Sequence, residues 1–130
     1  MVAKTAKYAK VLVMAQDIHY VGPIPVKKNS YRRSSNGGMY KPQEILDFED
    51  TVYKEILAQR PTRVIGNFTL KGSVTIKKQK DLDGAITSIL DVFQMAQLIE
   101  NDKLCSHIDV YKVEADSGGV EGFVLQVIQH

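Results

Sequence analysis

Apolar and polar positions along the chain predict four strands. Residues 9–20 are rich in Val, Ile, Leu and Met and lack Gly and Pro, which indicates a buried first strand. Apolar and polar residues alternate over 67–77, as expected for a strand with one exposed face. Two further strands are predicted at 104–115 and 122–128, joined by the turn sequence 116–119 as an antiparallel hairpin.

Two other segments follow the helical period. Between Pro42 and Pro61, apolar residues recur three or four positions apart, and Pro42 suits the first helical position. The same spacing from Ile86 to Phe93 predicts a second helix, which begins at Asp81 or Asp83 and runs to about Gln97. The order β-α-β-α-β-β predicts an α/β (α+β) fold, a single mixed β-sheet with two helices packed on it.

The length of 130 residues suits one hydrophobic core, so a single domain spanning 1–130 is expected. No stretch approaches the roughly 18 to 20 apolar residues of a membrane span, and the apolar run 11–15 is too short for a signal-peptide core. The single cysteine, Cys105, has no intrachain partner for a disulfide and is predicted to pack in a strand. These features predict a soluble, cytoplasmic protein.

The modest net charge of +2 conceals two halves of opposite sign. Residues 1–80 contain 15 Lys and Arg against 6 Asp and Glu, a balance of +9, whereas residues 81–130 contain 2 against 9, a balance of −7. A basic half favours a phosphate backbone as partner, and an acidic cluster beside it would repel that backbone unless cations lie between them. The alternative interpretation is that these charges are scattered over solvated faces.

The basic residues concentrate in a loop predicted between 21 and 42, where Gly, Pro, Ser and Asn are frequent. Tyrosines alternate there with cations, which combines stacking surfaces with phosphate partners and favours DNA contact. The alternative is a solvated segment whose charges serve solubility. The predicted DNA-binding residues of this loop are Lys27, Lys28, Arg32, Arg33 and Tyr40.

Three carboxylates form the candidate active site. Asp81 and Asp83 lie two positions apart, so in an extended segment they project to the same side, and Asp102 follows the second helix. Mg²⁺ and Mn²⁺ prefer such hard oxygen ligands, and a bound ion can activate water against a phosphodiester. The alternative is that Asp81 and Asp83 only complement the helix N-terminus and Asp102 is a turn residue. The sequence contains no glycine-rich nucleotide loop and no histidine spacing typical of zinc ligands.

The segment Asp81-Leu82-Asp83-Gly84-Ala85-Ile86-Thr87, followed by a helix and Asn101-Asp102, resembles the RusA family of Holliday junction resolvases. The family signature is Asp-x-Asp-Asn-x-x-Lys, a helix and a further Asp before a strand. The basic loop, with Gly22-Pro23-Ile24-Pro25, Lys27 and Lys28, is also similar to that of the family. The resemblance therefore covers most of the chain.

The resemblance implies a homodimer that binds four-way (Holliday) junctions and nicks two opposed strands in DNA recombination and repair, with Mg²⁺ or Mn²⁺ as cofactor. By this carry-over Asp81, Asp83 and Asp102 would be catalytic and metal-binding. A phage or prophage setting is also implied.

Two positions depart from the family signature. Gly84 stands where the family has Asn, and Thr87 stands where it has a functional Lys. The predicted substitutes for that missing cation are Lys80 and Lys112, which complete the predicted DNA-binding set. Three hypotheses follow: a metal-dependent junction endonuclease, a non-catalytic branched-DNA-binding protein that lost turnover with the change to Thr87, and an interaction domain whose acidic half binds a basic partner.

Overall fold

The computed structural model describes residues 15–26, 32–33, 39–116 and 118–130. Along the chain the elements are β1 (Ala15–Val21), β2 (Arg32–Arg33), β3 (Met39–Tyr40), α1 (Gln43–Gln59), β4 (Phe68–Ile76), α2 (Leu82–Met95), a 3₁₀ turn (Asp102–Leu104), β5 (Cys105–Glu114) and β6 (Gly122–Gln129). The longer elements confirm the predicted order β-α-β-α-β-β and the α+β class. Residues 9–14 of the predicted first strand lie outside the described residues.

The main sheet has four strands in the order β1-β6-β4-β5. β4 pairs with β5 in parallel and with β6 antiparallel, so the prediction that β5 and β6 form a hairpin is wrong. β6 lies inside the sheet and β5 at its edge, because burial inside the sheet favours the strand with more apolar surface. Phe123, Leu125 and Val127 of β6 are buried, whereas none of the ten residues of β5 is fully buried.

The hydrophobic core lies between the sheet and both helices. β4 alternates as predicted, with Phe68, Leu70, Val74 and Ile76 turned inward against apolar residues of α2. Burial of these side chains contributes roughly 1.5–3 kcal/mol each. The opposite face of the sheet carries exposed residues such as Val124 and Tyr111, so both helices cover one face. Among the described helices, none has the length and apolar character needed to cross a membrane.

Helix ends differ from the predicted ones by a few residues. Pro42 is the N-cap of α1 and not its first helical residue, with φ −59° and ψ 153°. An extended ψ at Pro42 leaves its carbonyl to accept the first helical hydrogen bonds, from Ile45 and Leu46. α2 ends at Met95, two residues before the predicted end, since Gln97 adopts φ 59° and cannot continue a right-handed helix.

The predicted long loop contains one paired element. β2 and β3 form a two-stranded antiparallel ladder in which Arg32 pairs with Tyr40 and Arg33 with Met39. The backbone of two predicted DNA-binding arginines is therefore adjacent to that of Tyr40. The turn predicted from the Ser, Asn and Gly residues at 34–38 lies outside the described residues.

Candidate functional site

Residues 77–83, here called the acidic turn after Asp81 and Asp83, comprise the connection from β4 and the first two residues of α2, and they carry two of the three predicted carboxylates. Asp81 occupies the N-cap of α2, and its carbonyl accepts a 3.1 Å hydrogen bond from the Ala85 N–H. Its carboxylate makes no capping hydrogen bond, although an aspartate in this position commonly does. Asp81 and Asp83 are both exposed. The capping interpretation thus explains why Asp81 lies at the start of α2, but the Asp81 carboxylate does not make the hydrogen bond that a capping side chain makes.

Asp102 lies at the opposite end of α2. Its backbone N–H donates a 3.0 Å hydrogen bond to Gln94 Oε1, near the helix C-terminus, and it opens the 3₁₀ turn that leads into β5. A helix of 14 residues is about 21 Å long. Asp102 is therefore separated from Asp81 and Asp83 of the same chain by roughly the length of α2. Asp81 and Asp83 are neighbours in the chain at the N-terminus of α2, but only Asp81 has the extended conformation expected for both, since Asp83 lies in the first helical turn.

The described part of the chain holds no group of three His, Cys, Asp or Glu side chains arranged to hold a metal ion. The acidic turn by itself offers two exposed aspartates, a donor set that suits a hard divalent cation with its remaining positions filled by water and phosphate oxygens. Among the described residues of one chain, no third carboxylate joins this pair.

Lys80, predicted to contact DNA, is held within the protein. Its Nζ donates to Glu121 Oε1 at 2.7 Å and to the Ile24 carbonyl oxygen at 2.8 Å. The Lys80 side chain is 25% exposed and that of Glu121 is 4% exposed. A lysine has three N–H donors, so two of them are used here and the ammonium group points inward.

Lys112, the other predicted substitute for the missing family lysine, also serves the acidic turn. From β5, its Nζ donates to the carbonyl oxygens of Lys78 and Lys80 at 2.8 and 2.7 Å. These contacts join β5 to the segment that ends at Asp81. The hydrogen bonds that the structure shows for the ammonium groups of Lys80 and Lys112 are therefore all to other parts of the protein.

Glu121 is the centre of this arrangement, although sequence reasoning did not single it out. Oε1 accepts from the Ile24 N–H at 3.1 Å, and Oε2 accepts from the Lys77 N–H at 2.9 Å, in addition to the bond from Lys80. Burial acts to raise the pKa of Glu121, but the hydrogen bonds from Lys80, Lys77 and Ile24 outweigh burial and lower the pKa. Glu121 is thereby kept ionised and fully hydrogen-bonded.

Thr87 lies one helical turn after Asp83, on the same exposed side of α2. Its hydroxyl donates a 2.9 Å hydrogen bond to the Asp83 carbonyl oxygen, a contact within the helix. A side chain of this length stays close to the helix backbone. Thr87 therefore brings no cation to the neighbourhood of Asp83.

A groove of about 390 Å³ lies beside the acidic turn, between the ends of β4 and β5. Exposed Lys77 and Lys78 line it, and they precede Asp81 by only a few residues. The lysine-rich run 77–80 is the sequence signal for these two residues, although Lys80 alone of this run is among the predicted DNA-binding residues. The groove is lined by Lys77, Lys78, Gln79, Ala115, Asp116 and Gly118.

The described residues at both ends of the basic loop are attached to the helical layer. On the N-terminal side, Ser88 of α2 donates a 2.7 Å hydrogen bond to the Pro25 carbonyl oxygen. On the C-terminal side, Lys41 forms a 3.0 Å ion pair with buried Glu49 of α1. Lys27 and Lys28 lie outside the described residues, and only the backbone of Arg32, Arg33 and Tyr40 is described.

Comparison with known proteins adds an independent observation. No family model matches the chain. The chain is similar to the crossover junction endodeoxyribonuclease RusA of Aquifex aeolicus (strain VF5), with 26% identity over 113 residues. The similarity covers 83% of this chain and 87% of that protein. It includes at least part of both the acidic turn and the Asp102 turn, and it confirms the resemblance of this chain to the RusA family.

Proposed function

We propose that this protein is a structure-selective endonuclease that resolves four-way DNA junctions by Mg²⁺- or Mn²⁺-dependent hydrolysis. The observation that carries the proposal is the exposed pair Asp81 and Asp83 at the start of α2, where the Asp81 carboxylate makes no capping hydrogen bond. A lysine-lined groove adjoins this pair, and the chain is similar to a crossover junction endodeoxyribonuclease. Carboxylates beside cations suit a site that holds a divalent ion and a phosphate together.

Within this proposal Asp81, Asp83 and an Asp102 carboxylate hold the ion. When bound, such an ion would supply Lewis acidity for the phosphodiester and would lower the pKa of a water nucleophile. The carboxylates would orient that water and balance the charge of the site. Lys77 and Lys78 attract the DNA backbone toward a cluster that would otherwise repel it.

The separation of Asp102 from Asp81 within one chain favours a site formed by two chains. β5 is an edge strand of ten residues, and it exposes Ile108, Tyr111 and Val113 by 50%, 70% and 46%. A long apolar edge of this kind is usually covered or paired. We infer a homodimer in which two copies of β5 pair antiparallel and join the two sheets.

This pairing would complete the carboxylate site. Antiparallel β5 strands set the start of one strand beside the end of the other, about 5 Å away. Asp102 precedes the start of β5, while the end of β5 is joined to the acidic turn by Lys112. A two-fold axis perpendicular to the joint sheet keeps all helices on one face. Asp102 of one subunit thus approaches Asp81 and Asp83 of the other.

The direct test uses a labelled four-way junction and a duplex of the same sequence, each incubated with the protein in Mg²⁺, Mn²⁺ or Ca²⁺. We expect paired, symmetric nicks in the junction with Mg²⁺ or Mn²⁺ and none in the duplex. Salt-sensitive junction binding without cleavage in either metal would instead support the non-catalytic alternative, which the absence of a lysine at position 87 favours. No binding at low salt would exclude both functions.

The proposal predicts a gain of rate when position 87 receives a cation. Thr87→Lys places an ammonium one helical turn from Asp83, within reach of a phosphate bound by the carboxylates. Electrostatic stabilisation of the transition state is expected to raise the single-turnover cleavage rate about tenfold or more. Thr87→Gln, which extends the side chain without charge, is the control. Equal rates in the lysine and glutamine variants would show that this position does not limit catalysis.

Lys77 and Lys78 are predicted to bind the DNA backbone. Replacing Lys78 by Ala should weaken junction binding in Ca²⁺ and reduce the slope of log K against log salt by about one. The control is Lys54→Ala, which removes the same charge from an exposed i,i+4 ion pair with Asp50 on α1. Fluorescence anisotropy over a salt series measures both variants. An unchanged slope for Lys78→Ala would remove this lysine from the interface.

A further inference from the structure

The carboxylate of Glu121 binds two segments that are distant in sequence from it and from each other. Its two oxygens accept from Ile24 near the start of the basic loop, from Lys77 directly after β4, and from Lys80 beside Asp81. The Glu121 side chain is 4% exposed. A buried carboxylate with three donors is strongly oriented, because moving any of them leaves charge or a polar group unsatisfied.

The acidic turn is held from a second side by Lys112, which donates to the carbonyl oxygens of Lys78 and Lys80. Lys80 is therefore restrained at both ends, with its carbonyl bound to β5 and its ammonium bound to Glu121 and the Ile24 carbonyl oxygen. Asp81 follows directly. Its side chain has no capping hydrogen bond, so its position depends on the backbone that leads to it.

We propose that Glu121 is a positioning residue which, through Lys80 and Lys77, holds the acidic turn in the conformation that presents Asp81 and Asp83 to a divalent cation. This inference rests on the proposed function. Glu121 has no role of its own in hydrolysis, because its carboxylate is buried and both of its oxygens are occupied by protein donors. Two exposed aspartates repel each other in the absence of the ion, so a restrained turn lowers the cost of bringing them together.

The test measures metal affinity in the full-length protein. In Glu121→Gln, the amide presents an N–H where the carboxylate accepts, which opposes the donors of Lys77, Ile24 or Lys80. We expect the Mn²⁺ concentration at half-maximal cleavage to rise about tenfold, as for other groups that orient metal ligands. The Mn²⁺ dissociation constant measured by calorimetry should rise by a similar factor.

Glu49→Gln is the matched control, since Glu49 is also a buried glutamate with a lysine partner. The Glu49→Gln variant should leave the Mn²⁺ concentration at half-maximal cleavage, here called the Mn²⁺ midpoint, unchanged. Both variants are compared at a temperature where they are fully folded. If Glu121→Gln does not fold, Lys80→Met is used in its place. This variant removes the lysine partner but keeps the hydrogen bonds from the Ile24 and Lys77 N–H groups to Glu121. Where both single variants fold, the double variant should show the same midpoint as either single one, since both break one interaction.

The measurements distinguish failure of the proposed function from failure of the positioning role. A wild-type protein that neither binds Mn²⁺ nor cleaves junctions defeats the proposed function itself. A wild-type protein that does both, while every folded variant of Glu121 and Lys80 retains its Mn²⁺ midpoint, overturns only the positioning role. Faster amide exchange at Ile24 and across 77–83 in Glu121→Gln, together with the weaker metal affinity, would support it.

Discussion

A heterodimer of an Asp83→Asn chain with an Asp102→Asn chain is expected to cleave four-way junctions, although each variant alone is inactive. Each homodimer should lose activity by about 100-fold or more, because every site lacks a metal ligand. In the heterodimer, one site combines both defects and the other contains Asp81 and Asp83 of one chain with Asp102 of its partner, all intact. We expect nicking of one strand at about half the wild-type rate.

The reciprocal heterodimer is the control for this experiment. Joining a wild-type chain to a chain that carries both Asp83→Asn and Asp102→Asn gives the same overall composition. If each site draws on two subunits, both sites then contain one defect and the heterodimer is inactive. Differently tagged chains, co-expressed and purified in two steps, provide both species. Activity in this control and none in the first heterodimer would show that each site is built from one chain.

Gly72→Ala is expected to destabilise the protein by more than about 3 kcal/mol, a large part of the 5 to 15 kcal/mol of a typical domain. Gly72 lies in the central strand β4 with φ +143° and pairs with Leu125 of β6. A Cβ there would collide with the Val124 carbonyl oxygen and lie 3.0 Å from Leu125 Cα. Both neighbours are backbone atoms of the paired strand β6, so the clash can be relieved only if β4 and β6 move apart.

Gly66→Ala is the matched control for Gly72→Ala. Gly66 also has a positive φ, of +76°, but a Cβ at that position meets no described atom within 4 Å. Its replacement should cost only the conformational penalty, about 1 to 2 kcal/mol. Urea unfolding at one fixed protein concentration measures both variants. Similar unfolding midpoints for the two would show that the close approach of β4 and β6 carries little energy.

The elements were predictable from sequence, because each depends on residues close together in the chain. Alternation over 67–77 identified β4, and the apolar spacing from Ile86 to Phe93 identified α2, since periodicity reports which face an element buries. Strand order was not predictable in this way. β6 lies between β1 and β4 because its apolar face fills the centre of the core, a competition between strands that no local pattern records.

For the candidate site, too, the sequence and the tertiary structure decide different properties. The sequence by itself determined the charge and ligand types of the proposed site, namely the carboxylates of Asp81, Asp83 and Asp102 and a basic half of the chain, because these properties belong to the residues themselves. Only the tertiary structure decided which of these groups meet. A rigid helix of about 21 Å separates Asp102 from the acidic turn. Acceptors from distant segments, namely the buried Glu121 carboxylate and the carbonyl oxygens of the acidic turn, occupy the ammonium groups of Lys80 and Lys112.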